Sequence, residues 1–212
     1  NLYSSERYYT YKFIDRNCTT MVNEKIGNYA GGKKLEKVDD KTITYRELLY
    51  PYFEDYFWYK LGINIIFGAK TDAKAEQLFL PTELLHSLDQ AKISGKSLVI
   101  RKNTLVAGTP KTEAEFSFFN SIYCIIVFLG LLLLLNKRWL FLTYLFICGL
   151  LGLFLCLVGL YSEHQEVLWN YNALLFSPLF ILLPFLKNNS LRKVSLVSIA
   201  LLLVYSVVMI NK

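Results

Sequence analysis

Reactive side chains are scarce in this chain: its 212 residues include two histidines and four cysteines, and only 19% are charged. There is no glycine-rich loop suited to cradling phosphate, no Cys-x-x-Cys pair, and no His/Asp cluster at metal-ligand spacing. Nucleotide and metal chemistry therefore have little to build on, and nothing calls for a cofactor. Charge is also unevenly spread, concentrated in the first half, while hydrophobic residues make up 54% of the chain and aromatic residues 16%. Soluble domains rarely have that composition.

The second half consists of long apolar runs. About 18 or more uncharged apolar residues suffice to cross a bilayer as a helix, and 116–135 and 140–160 meet that requirement. The stretch 169–186 holds Pro178 and Pro184 and begins beside Asn170 and Asn172, but proline is tolerated in membrane helices whose neighbours satisfy the freed carbonyls. A fourth span is expected at 194–210. The expected organisation is thus an extracytoplasmic domain over 1–112 and a transmembrane block of about four helices over 113–212. A soluble core would need far more polar chain to wrap four such segments.

Lys and Arg in short loops collect on the cytoplasmic side. Lys137, Arg138, Lys187, Arg192 and Lys193 fall in the first and third loops, whereas 161–172 has no Lys or Arg and carries Glu163, His164 and Glu166. That loop, and with it residues 1–115, is expected on the outer face. The net charge of +6 is about half topogenic on this count and requires no nucleic-acid partner. The chain opens at Asn1 without methionine, signal peptide or preceding helix, so an upstream part is expected to be missing.

Cys124, Cys148 and Cys156 lie in apolar spans, where cysteine acts as a small hydrophobe. Cys18 stands alone in the polar part, and a lone cysteine on an oxidising face invites a functional reading. Around it, 7–13 is aromatic-rich and suits a strand, 15–17 is a turn, and a helix is expected from Cys18 to about Gly27–Asn28 with Asn17 as N-cap. The free N–H groups and partial positive charge of a helix start suit a thiolate nucleophile. Cys18, Met21, Val22, Lys25 and Ile26 share one face, expected to point toward the body of the domain. A buried core cysteine fits the same pattern.

A thiolate nucleophile needs a base, usually a histidine held by a third polar group. His86 sits on an amphipathic helix beside Leu84, Leu85 and Leu88 and is expected on the solvent side. His164 precedes Trp169-Asn170-Tyr171-Asn172 in the outer loop, which is either a functional site or an interfacial aromatic belt. Elsewhere Pro51 interrupts 42–57, and 58–68 is an apolar element ended by glycine. Thr71–Asp72 and Phe79–Thr82 each open a helical segment, and 97–100 with 104–106 suggests a hairpin at Lys102–Asn103.

The order of these pieces resembles one family. A Tyr-rich strand is followed by Asn17-Cys18-Thr19-Thr20, Leu61-Gly62-Ile63 with Gly68 and Asp72, Phe79-Leu80-Pro81 with Leu84, and Leu98-Val99 before a multi-span tail. That tail carries His164, Trp169-Asn170-Tyr171-Asn172, Leu174-Leu175 and Ser177-Pro178-Leu179. Over nearly its whole length the chain resembles the Lnb family, bacterial lipoprotein N-acyltransferases with a periplasmic cysteine domain and a transmembrane tail. The resemblance implies an α+β, partial papain-like domain of the permuted NlpC/P60 type, followed by an all-α membrane block in the bacterial inner membrane. It implies Cys18 as nucleophile, with its histidine upstream of Asn1 and so outside this chain. His164 would be an accessory residue, and Asn17, Thr19, Asn170 and Asn172 would contact substrate. The partners implied are a membrane phospholipid as acyl donor and a lipoprotein as acceptor, with no metal. The family tail has five spans, against four expected here. Two rival readings stand beside it: a cysteine hydrolase of cell-wall peptides in the same superfamily, and a non-catalytic membrane scaffold.

Overall fold

The computed structural model describes residues 8–29, 32, 34–106, 108 and 115–210. In chain order the helices are α1 (Cys18–Tyr29), α2 (Tyr45–Leu49), α3 (Phe57–Ile66), α4 (Pro81–Gln90), α5 (Ile122–Leu135), α6 (Arg138–Tyr161), α7 (Asn172–Leu175) and α8 (Asn188–Ile210). Strands β1 (Lys92–Ile93) and β2 (Lys96–Ser97) lie between α4 and α5. The chain divides into two compact units. The first comprises Asn1–Leu49 and Asp72–Ala114, the second Tyr50–Thr71 and Glu115–Lys212.

In the described part of the first unit α1, α2 and α4 are joined by irregular chain, and its only ladder is the antiparallel β1–β2 pair, Lys92 opposite Ser97 and Ile93 opposite Lys96. The turn between them, Ser94 and Gly95, has φ of 50° and 81°, the left-handed pair that a two-residue hairpin requires. This is why the hairpin forms here and not at Lys102–Asn103, where no glycine is available. The strand expected over 7–13 is not formed by its described residues. Lys12 and Arg16 instead exchange two backbone hydrogen bonds of 3.1 Å across a tight turn. With no second strand alongside among the described residues, an extended segment would leave its N–H groups unpaired. The layered sheet of a papain-like domain is likewise not found among the described residues.

Phe79, fully buried, anchors the apolar core with Ile14, Tyr45, Leu49 and Leu84. Its ring meets Phe13 and Tyr45 edge-on, with centroids 6.0 and 5.1 Å away. Beside it runs a buried ion pair, Lys37 Nζ to Glu83 Oε1 at 2.7 Å. Lys37 also donates to the Ala75 carbonyl at 2.7 Å, and Glu83 accepts from the Leu80 N–H at the start of α4. One carboxylate thus closes the uncapped end of α4 and clips the 35–38 segment onto it.

In the second unit two helices, α6 (24 residues, mean hydropathy 2.5) and α8 (23 residues, 2.3), are long and apolar enough to cross a membrane. Exposed leucines and valines such as Leu153, Leu203 and Val207 line their surfaces, an outer face suited to hydrocarbon. The other two expected spans are shorter than anticipated. The helix in 116–135 begins only at Ile122, because 118–120 form a 3₁₀ turn fastened to the start of α3 and the residues just before it. There Phe57 N–H donates to Asn120 Oδ1 (3.0 Å), Asn120 Nδ2 to the Asp55 carbonyl (2.7 Å) and Trp58 Nε1 to the Phe119 carbonyl (2.6 Å). The stretch 169–186 is not one helix: α7 stops at Leu175, and a 3₁₀ segment runs from Pro178 to Phe185 with Pro184 inside it. Each proline removes a donor and clashes with the preceding turn, so an α-helix cannot run through.

Glycines bring α6 onto this broken segment. Gly149 faces Ile181 and Phe180, Gly152 faces Phe176 and Pro178, and Gly159 faces Leu168. As the α6 numbers rise the partner numbers fall, so the segment runs antiparallel to α6. At Gly152 an added Cβ would fall onto the Phe176 carbonyl oxygen. Small residues at such crossings let backbones approach without a side chain between them.

Candidate functional site

Asn17 caps α1 and is itself buried. Its Oδ1 accepts from the Thr20 N–H (2.9 Å), while its own N–H donates to Thr20 Oγ1 (2.9 Å), a reciprocal capping arrangement. Its Nδ2 donates to the carbonyls of Phe13 and Phe79, both at 2.8 Å. The start of α1 is thereby tied to the turn before it and to the core around Phe79. The Asn17 amide is fully engaged in holding Cys18 in place.

Cys18 follows as the first helical residue, and its thiol is exposed. This corrects the expectation that the sulfur points toward the domain body. The buried face of α1 is Thr19, Asn23 and Gly27. That face wins because Asn23 exchanges hydrogen bonds with the Leu35 backbone (2.9 and 3.2 Å), which needs a polar side chain on the inside. Thr19 therefore lies beneath the helix, away from the open side. Thr20 N–H goes to the cap and Met21 N–H to the Asn17 carbonyl. The N–H groups of Cys18 and Thr19 have no hydrogen-bond partner among the described residues. Two backbone donors thus share the start of α1 with the exposed sulfur, as the first turn of a helix provides.

The stripe of side chains continuing from Cys18 borders an open groove of about 600 Å³. Met21, Val22 and Ile26 from α1 face Leu88, Ile93 and Leu98, and Lys25 is the one charged residue on the wall among the described residues. The groove follows from the correction above: the face expected to be core is left uncovered by the described residues, and α4 and the hairpin supply its other wall. His86 is exposed, as its helix position suggests, with Nδ1 2.9 Å from Asp39 Oδ1.

The remaining candidates belong to the second unit. Asn170 Nδ2 donates to the carbonyls of Ile65 (2.7 Å) and Ile66 (2.8 Å), and its Oδ1 accepts from the Asn172 N–H (2.9 Å). Asn172 Nδ2 donates to the carbonyls of Asn64 (2.7 Å) and Ile65 (3.1 Å), and its Oδ1 accepts from the Tyr205 hydroxyl (3.3 Å). These are the last carbonyls of α3, which have no partner within the helix. The two asparagines supply partners and link α3 to α8. His164 is half-exposed, with Nδ1 3.8 Å from Oε2 of Glu166, whose residue is fully buried. The Glu166 carbonyl accepts from Gly68 N–H at 2.7 Å. An added Cβ on Gly68 would strike the Leu168 carbonyl, which ties that glycine to close approach of the loop.

Cys18, Asn17 and Thr19 thus form one group and His164, Asn170 and Asn172 another, in different units. Among the described residues no three His, Cys, Asp or Glu side chains stand together as metal ligands. Sequence reasoning missed the apolar groove and the buried Lys37–Glu83 pair. The signal for the groove was the Met21, Val22, Ile26 spacing, and for the pair the position of Glu83 three residues after Leu80. No family model, curated protein or solved structure matches the chain.

Proposed function

We propose that the chain is a membrane-bound cysteine acyltransferase of the Lnb type, acting on the outer face of a bacterial inner membrane. The observation that carries the reading is Cys18 itself: an exposed thiol at the start of a capped helix, next to two N–H groups without a partner among the described residues, on a helix whose Met21, Val22 and Ile26 line an apolar groove. The two long apolar helices support a membrane-embedded substrate pool.

In the first step the Cys18 sulfur attacks the carbonyl carbon of a phospholipid ester. The oxyanion is met by the N–H groups of Cys18 and Thr19, the carbon–oxygen bond to glycerol breaks, and lysophospholipid leaves with the proton the thiol gave up. The acyl chain, now a thioester, lies along Met21, Val22 and Ile26 on the same helix face. In the second step the uncharged α-amine of a lipoprotein's lipidated cysteine attacks the thioester carbon. The carbon–sulfur bond breaks, an amide forms, the amine proton returns to the sulfur, and Cys18 is regenerated. Asn17 acts as a positioning residue. His164, held beside Glu166 in the loop after α6, contacts the lipid headgroup.

The test uses the full chain in phospholipid liposomes with a synthetic diacylated lipopeptide bearing a free N-terminus, read by mass spectrometry of the lipopeptide. The expected result is one added acyl chain whose mass follows the supplied phospholipid, and none with Cys18→Ser. Transfer that persists in Cys18→Ser overturns the reading, and so does release of cell-wall peptide fragments with no acyl transfer.

A further inference from the structure

At the opposite end of α6 from His164, Arg138, Lys187, Asn188, Leu191 and Arg192 wall a pocket of about 500 Å³. Two long helices start there, α6 at Arg138 and α8 at Asn188, and neither has an acidic residue in its first turn. Lys137, the N-cap of α6, makes no side-chain capping bond. The first N–H groups of such a helix point outward without partners, and with the helix dipole they favour an anion.

No Asp or Glu occurs in 116–162 or 167–212. The unit's described carboxylates lie beyond the far ends of α5 and α6: Glu54, Asp55 and Glu115 precede α5, and Glu163 and Glu166 follow α6. α5 spans about 21 Å and α6 about 36 Å at 1.5 Å per residue, so these groups are far from the pocket. A topogenic bias accounts for positive charge in these loops. It does not account for three cations and two helix starts converging on one cavity. Trp139, 65% exposed, stands beside Arg138 where an aromatic residue marks the headgroup level, and Leu191 adds an apolar wall.

We propose that this pocket binds the phosphate of an anionic phospholipid headgroup, with Arg138, Lys187 and Arg192 as its ligands and the acyl chains lying along the exposed faces of α6 and α8. Arginine suits the role because its planar fork meets phosphate oxygens in pairs. The site does not depend on Cys18 chemistry.

The experiment places the full chain in phosphatidylcholine nanodiscs with increasing phosphatidylglycerol, extracts it gently, and counts retained lipid by native mass spectrometry. The wild type is expected to retain phosphatidylglycerol in preference to phosphatidylcholine. Arg138→Gln with Arg192→Gln should lower that retention about thirtyfold, the equivalent of about 1 kcal/mol for each direct, solvent-open ion pair with the phosphate that is lost. Lys193→Gln, which removes a neighbouring charge outside the pocket, should leave it unchanged. Should the double variant not fold, Lys187→Gln alone gives the reading, with a smaller loss. Equal loss in Lys193→Gln means diffuse attraction and overturns the pocket. Retention that millimolar inorganic phosphate competes away fully would make it a free-anion site and overturn the lipid assignment, as would no preference for phosphatidylglycerol.

Discussion

Replacing Asn17 by alanine tests the architecture that presents Cys18. The substitution removes the cap bond to Thr20 N–H and the two bonds from Nδ2 to the carbonyls of Phe13 and Phe79. Loss of an N-cap costs about 1 kcal/mol. Each abandoned carbonyl adds about 1 kcal/mol, the Phe79 one more than the other because that bond is buried. The sum, about 2–4 kcal/mol, should appear as about 30-fold to 1,000-fold faster amide hydrogen exchange across α1 when opening is local. Asn17→Ser keeps a capping oxygen and loses only the amide donors, so it should recover about 1 kcal/mol of the loss. The assay is hydrogen exchange read by mass spectrometry on the full chain in detergent. Exchange in Asn17→Ala within about threefold of wild type, below 1 kcal/mol, would refute the reasoning, as would a serine variant no better than alanine.

Other consequences follow from the packing. Gly152→Ala should lower the thermal stability of the second unit by about 1–3 kcal/mol, because the added methyl meets the Phe176 backbone. Gly130→Ala, with nothing within 4 Å, should not, and equal midpoints for the two would contradict the close approach. Lys37→Met leaves the Glu83 carboxylate buried beside an apolar chain and should cost about 3–5 kcal/mol. Adding Glu83→Gln, which keeps an acceptor for Leu80 N–H, should restore much of it in denaturant titration. Burial pushes the Tyr45 phenol above its ordinary value. Its neutral form is therefore favoured by folding, and that contribution is complete below about pH 10 and lost as pH rises through the folded value. Absorbance titration should count one fewer late-ionising phenol in Tyr45→Phe than in the wild type.

The local signals that were legible in the sequence are those whose physics is local. Asn17-Cys18 reads as a cap and first turn because the partners, Thr20 N–H and Oγ1, are three residues away. Pro81 with Glu83 reads as a helix start for the same reason. The apolar runs 140–160 and 194–210 both fall within long helices, α6 and α8. What was not legible depended on distant partners. The polar inside of α1 is set by the Leu35 backbone meeting Asn23, so hydrophobic spacing alone assigned Met21, Val22 and Ile26 to the wrong side. Residues 118–120 are held by the 55–58 segment, which shortens α5 in a way hydropathy cannot register. The asparagines at 170 and 172 resemble a polar site from their sequence position, but their amides complete the end of α3. For 169–186 the warning was present in Pro178 and Pro184, and composition outweighed it.

The most direct test of the central claim is intact-mass analysis of the full chain purified from native-like membrane, before and after hydroxylamine at neutral pH. An acyl adduct on Cys18 is expected, with a mass that follows the supplied phospholipid chains, removal by hydroxylamine and absence in Cys18→Ser. A chain that transfers acyl groups while Cys18 stays unmodified, or an adduct that persists in Cys18→Ser, would contradict it.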